Sequence, residues 1–87
     1  MKKQGYWINC TSVTAGMTAG EYSVELKTAD GQGVSLFAPQ DFVDQKNGWL
    51  RVSVIEQSGS RSLVYLPATP FEVGSRFIAV NSRDVKK

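Results

Sequence analysis

The stretch GEYSVELKTADGQGVSLFAP, Gly20–Pro39, lies along GWLRVSVIEQSGSRSLVYLP, Gly48–Pro67, at a shift of 28 residues. Glycine, valine, glycine and proline then coincide as Gly20/Gly48, Val24/Val52, Gly31/Gly59 and Pro39/Pro67. The apolar phase matches between those markers: Tyr22, Val24 and Leu26 lie over Leu50, Val52 and Val54, and Leu36, Phe37 and Ala38 over Val64, Tyr65 and Leu66. Each unit reads as strand, tight turn, strand, proline, and a repeated supersecondary unit sets the architecture before any single residue is interpreted. Glycine in turns and proline after strands are also ordinary hairpin grammar. The two hairpins therefore follow whether or not duplication made them.

Glu21–Thr28 alternates cleanly, with Tyr22, Val24 and Leu26 on one face and Glu21, Ser23, Glu25 and Lys27 on the other. Ala29-Asp30-Gly31 fits a three-residue hairpin loop with glycine at the left-handed position, which sets Leu26 opposite Val34 and Val24 opposite Leu36. The same loop geometry at Gln57-Ser58-Gly59 sets Val52 opposite Val64 and Leu50 opposite Leu66. Val24, Leu26, Leu36, Val52, Val54, Val64 and Leu66 then share one core. Tyr6–Val13 reads as a first strand, ended by a small, aperiodic loop from Thr14 to Gly20, and Arg76–Val80 as a last strand. Phe42 and Phe71, in the proline-containing corners after each hairpin, are expected to plug the core. Asp41–Lys46 is the only helix candidate. About six short strands with frequent turns predict an all-β domain, a small antiparallel β-barrel or sandwich built on two similar hairpins.

The chain has 87 residues, enough for one modest core that buries roughly 60 to 65 per cent of the unfolded surface. The expected organisation is an N-terminal tail at 1–5, a single β domain at 6–80, and a polar, basic, loosely ordered C-terminal tail at 81–87. No apolar run has the length of a signal peptide or a membrane span, so the expected location is cytoplasmic, with no membrane association. On that expectation the glycosylation pattern Asn9-Cys10-Thr11 is accidental. Cys10, the single cysteine, shares a face with Ile8 on an extended strand and reads as a small buried hydrophobe.

Composition also narrows the chemistry. There is no histidine, which removes His-based triads and imidazole ligands, and one cysteine removes thiolate zinc sites. Glu21 and Glu25 stand about 13 Å apart on a strand, too far to share a proton. Asp41 and Asp44 read as turn-bonding groups. Gly31-Gln32-Gly33 is followed by a strand, so it is a hairpin turn and not a phosphate loop. No enzyme activity, cofactor or metal is expected. The net charge is +2 and the pI about 8.9. Yet between Gln4 and Ser82 five basic residues face seven acidic ones, leaving that body at −2. A protein that holds phosphates by neutralising them needs clustered positive charge on its folded surface.

The two hairpins diverge on their outer faces. The first shows Glu21, Ser23, Glu25, Lys27 and Ser35, with Phe37 the exception; the second shows Trp49, Arg51, Ser53 and Ile55 on one strand and Arg61, Leu63 and Tyr65 on the other. The loop geometry sets Arg51 opposite Tyr65 and Ile55 opposite Arg61. Contiguous apolar patches of this kind mark binding or assembly surfaces, and Trp, Tyr and Arg are enriched in interface hot spots. Three covers compete: an internal one, with Tyr6, Trp7 and Ile8 or Phe71 folded across; another protein, most simply a second copy; or a single nucleic-acid strand stacked on Trp49 and Tyr65 and held by Arg51 and Arg61. The expected function is a protein-binding or self-assembling module whose site is Trp49, Arg51, Ile55, Arg61, Leu63 and Tyr65. Single-stranded nucleic-acid binding is the alternative.

Overall fold

In the first hairpin the alternation is realised as read. A computed structural model of the protein describes residues 5–87, so the expected N-terminal tail lies, apart from Gly5, outside the described residues. The described residues form nine strands: β1 (Tyr6–Asn9), β2 (Ser12–Ala15), β3 (Glu21–Lys27), β4 (Gly33–Pro39), β5 (Val43–Asp44), β6 (Trp49–Ser58), β7 (Arg61–Tyr65), β8 (Phe77–Asn81) and β9 (Val85–Lys86). The hairpin β3–β4 pairs Val24 with Leu36 and Leu26 with Val34. Its loop closes through the Thr28 N–H to the Gln32 carbonyl at 2.9 Å and the Gly31 N–H to the Thr28 carbonyl at 2.9 Å, with Gly31 at φ +86°.

The second hairpin departs from its expected register. Its turn is the two-residue Gly59-Ser60, with Ser58 opposite Arg61 and Gly59 at φ +62°. Glycine at the first central position with positive φ is the chemistry of a tight primed turn. Carried on unbroken, that register would set Val64 opposite Ile55 and turn the apolar sets of the two strands away from each other. A bulge between Val54 and Glu56 removes the conflict, so that Val54 meets Val64 and Ser53 meets Tyr65. The expected Val52–Val64, Leu50–Leu66, Arg51–Tyr65 and Ile55–Arg61 pairs are therefore not formed, although the faces are preserved. All four glycines with positive φ, Gly20, Gly31, Gly48 and Gly59, are the paired glycines of the repeat.

Two antiparallel sheets result. The larger runs β8-β7-β6-β1-β9, with β5 also on β6, and the smaller runs β2-β3-β4. The single strand expected over Tyr6–Val13 is two strands, because the chain changes sheets at Cys10-Thr11. The Cys10 N–H bonds the Gly48 carbonyl of one layer and the Thr11 N–H the Glu25 carbonyl of the other, both at 2.8 Å. Ile8, Val24, Leu26, Val34, Leu36, Ala38, Leu50, Val52, Val64, Leu66, Ile78 and Val80 form one buried cluster to which both sheets contribute, and Val54 packs against it half-buried. Ser62, the one buried polar residue among the described residues, is satisfied by the Ser82 hydroxyl at 2.8 Å.

Three further expectations are corrected. Phe42 and Phe71 do not plug the core; they are 39% and 64% exposed, and the aliphatic residues already fill the space. Asp41–Lys46 is not helical: a 3-10 turn at Gln40–Phe42 leads into β5, which ends in a turn held by the Asp44 carboxylate on the Asn47 N–H and side-chain amide. The C-terminal segment is not loose. After a 3-10 turn at Ser82–Asp84, β9 pairs with β1, setting Val85 opposite Ile8 and Lys86 opposite Trp7.

Candidate binding face

Because β6 alternates, Leu50 and Val52 point into the core while Trp49, Arg51 and Ser53 point out. The cross-strand register then assembles the outer face of the larger sheet in rows. Trp7 lies beside Arg51; Ser53, Tyr65 and Phe77 form the next row; the bulge sets Ile55 and Glu56 together against Leu63, which faces Ala79; and Ser58, Arg61 and Asn81 form the last. Tyr65 and Phe77 pack with ring centroids 4.8 Å apart. Ile55 is 53% and Phe77 50% exposed. Neither expected internal cover lies over these rows: β1 pairs beside β6 in the plane of the sheet, and Phe71 packs edge-on against Phe37 of the smaller sheet at 5.2 Å.

Of the sequence-predicted residues, Ile55, Leu63 and Tyr65 come together on this face, with Arg51 at one end. Trp49 shares the face further along, between Asn9 and Asp44, with the Lys86 ammonium 4.4 Å from its ring centroid. Arg61 lies at the opposite end, paired with Asp30 at 3.0 Å between two exposed side chains, a contact of small net worth in water. Phe77 and Arg76 were missed. The alternation of Phe77–Val80 carried a signal for the first, with Ile78 and Val80 inward and Phe77 and Ala79 outward; nothing in the spacing marked the second.

The edge of β6 that pairs with β5 at Trp49 and Leu50 pairs with β7 only from Ser53 onward, so the ladder lapses at Arg51 and Val52. A half-open cavity of about 190 Å³ occupies that notch, walled by Phe42, Val52, Tyr65, Leu66 and Pro67 and flanked by Arg51 and Arg76. Arg76 is held firmly. Its Nε–H donates to the Leu66 carbonyl at 3.1 Å, an Nη2–H donates to the Pro67 carbonyl, and the guanidinium lies 5.0 Å from the Tyr65 ring centroid. Arg51 lies 5.9 Å from the Trp7 ring centroid and passes close over Gly5, where an added Cβ would stand 2.8 Å from its Nη2. The only ion pair among the described residues is Arg61–Asp30, and the sequence before Gly5 has no acidic residue. Arg51 and Arg76 thus have no carboxylate partner within the chain.

Elsewhere the titratable groups are local. Burial pushes the Cys10 thiol up to about 12, so it stays neutral, with its S–H toward the Ile8 carbonyl at 3.7 Å. The side-chain amide and N–H of Asn47 hold the Asp44 carboxyl below its ordinary value. Among the described residues no three His, Cys, Asp or Glu side chains come together as metal ligands would, and no helix is long and apolar enough to cross a membrane. Comparison with protein-family models, with curated proteins and with solved structures finds no match.

Proposed function

We propose that the protein is a non-catalytic self-associating module, and that the outer face of β6, β7 and β8 is the surface on which a second copy sits. One observation carries this reading: the row Ser53, Tyr65, Phe77 and its neighbours Ile55 and Leu63 form an apolar, aromatic face over which no other segment of the described chain lies. A closed two-fold contact buries such a patch on both partners at once. The two sheets are read with it as a sandwich rather than a closed barrel, because no strand pair joins them among the described residues. Sedimentation across micromolar concentrations tests the proposal. The parent is expected to be a dimer and Tyr65→Glu a folded monomer; a parent that stays monomeric overturns it.

A second reading has its own support. Arg51 beside Trp7, Arg76 beside Tyr65 and Lys86 beside Trp49 interleave cations and aromatics on the larger sheet, as surfaces that stack single nucleic-acid strands do. The pairing of β9 brings Lys86, expected in a loose tail, onto that surface. Against it, the described residues carry eight basic and eight acidic side chains, ten Lys and Arg less Lys2 and Lys3 against all eight Asp and Glu. Labelled single-stranded DNA that binds, quenches tryptophan emission and is released steeply by salt would establish this reading in place of the first.

A further inference from the structure

Arg51 and Arg76 both line a cavity with apolar walls, Arg76 with its guanidinium at the Leu66 and Pro67 carbonyls and Arg51 with its head group turned toward Trp7 and Gly5 of the neighbouring strand; a guanidinium beside such walls gains most from a carboxylate that it can hold in fork geometry. Arg76 gives two of its five N–H groups to the Leu66 and Pro67 carbonyls. It is fixed in position with donors to spare. The cavity, at about 190 Å³, is smaller than the roughly 300 to 1,000 Å³ of sites for whole small molecules. It suits one inserted side chain.

The same face carries a carboxylate without a partner. Glu56 is the only acidic residue on β6, β7 and β8; it is exposed and forms no ion pair, and Arg61, the nearest cation along its strands, is turned to Asp30. Along β6, Arg51 and Glu56 lie on either side of Ser53, one row before and one row after the Ser53–Tyr65–Phe77 row, about 15 Å apart at strand spacing.

We infer that the cavity is the receptor for Glu56 of a second copy. The two-fold axis lies along the Ser53–Tyr65–Phe77 row between two facing sheets, so that Glu56 of each copy enters between Arg51 and Arg76 of the other. That operation keeps each strand over its equivalent and reverses its direction. It lays Tyr65 on Tyr65 and Phe77 on Phe77 at the axis, and opposes cation to anion on both sides, the reciprocity a closed two-fold requires. The inference rests on the self-association reading and names its register and its polar anchor.

Charge reversal tests it. Glu56→Arg and Arg51→Glu are each expected to weaken the dimer about tenfold or more, since each sets like charges together. The double variant Glu56→Arg/Arg51→Glu restores opposite charges and is expected to recover most of the loss, whereas Glu56→Arg/Arg83→Glu is not. Sedimentation gives the dimer constants, and circular dichroism confirms that each variant folds. Glu56, being exposed, gives a reading even if Arg51→Glu unfolds. A parent dimer that Tyr65→Glu dissociates but Glu56→Arg leaves intact overturns this inference and leaves the self-association reading standing. A parent that never dimerises overturns both.

Discussion

Leu50 of β6 sits where three strands of the larger sheet meet. It is completely buried, pairs with Ile8 of β1 on one side and Val43 of β5 on the other, and so fastens three strands. Leu50→Ala removes three carbons from a site that strands on both flanks prevent from collapsing. Transfer plus cavity terms put such changes at about 2.7 to 5 kcal/mol, and the unyielding surroundings favour the upper half, about 4 kcal/mol. A domain of this length has about 4 to 13 kcal/mol of total stability, and each kcal/mol moves the melting temperature by about 4 to 8 °C. The expected drop is therefore about 15 °C or more, or loss of folding, read by thermal melts followed by circular dichroism. The control is Ile55→Ala on the bulge, where half the side chain is already in water, with an expected change below about 1 kcal/mol. A Leu50→Ala melt within about 5 °C of the parent would refute the three-strand junction.

Val64→Asp sets a carboxylate at a fully buried position between Val54 and Ile78; the uncompensated burial costs several kcal/mol, and the variant should show no cooperative melt. Gly59→Ala meets no atom within 4 Å yet keeps φ at +62°, so strain alone should cost about 1 to 2 kcal/mol; Gly33→Ala, equally open but without positive φ, should be neutral, and equal losses would contradict the turn assignment. The Glu72 carboxylate accepts from the Ser35 hydroxyl at 2.6 Å and the Ser35 N–H at 2.7 Å, which hold it below the ordinary value of 4.5. A lowered folded value means that the latch on β4 is fully present above pH 4.5 and is lost as pH falls through the folded value. The Ser35 amide resonance should follow that titration, and in Glu72→Gln the titration should vanish.

Much of the fold was legible because turn chemistry and alternation agree within a hairpin. In β3–β4 the loop Ala29-Asp30-Gly31 left one register open, and that register closed the apolar face on itself. In β6–β7, Gly59 served equally well as the last residue of a three-residue loop or the first of a two-residue one, and nothing in Ser53-Val54-Ile55-Glu56 announces the bulge that makes the second workable. The face survived that error because the observed register differs by an even number of residues beyond the bulge. Alternation through Tyr6–Val13 is blind to which sheet a strand belongs to, so the change of layer at Cys10-Thr11 had no local sign. At the C-terminus a single apolar residue, Val85, carries the return to β1, too little to register as a pattern. The binding face was read from residues that alternate outward on two strands. The third strand contributes Phe77, and the notch that Arg51 and Arg76 both line arises from the break between β5 and β7, a feature of topology with no counterpart in spacing.

Isotope-filtered nuclear Overhauser spectra of an equal mixture of labelled and unlabelled protein report whether the Tyr65–Phe77 row meets its own copy. Intermolecular contacts are expected from the Tyr65 and Phe77 rings and from the Ile55 and Leu63 methyls, with none from Phe37 or Phe71 on the smaller sheet. Intermolecular contacts confined to Phe37 and Phe71, or none at all at a concentration where the parent sediments as a dimer, would contradict that pairing.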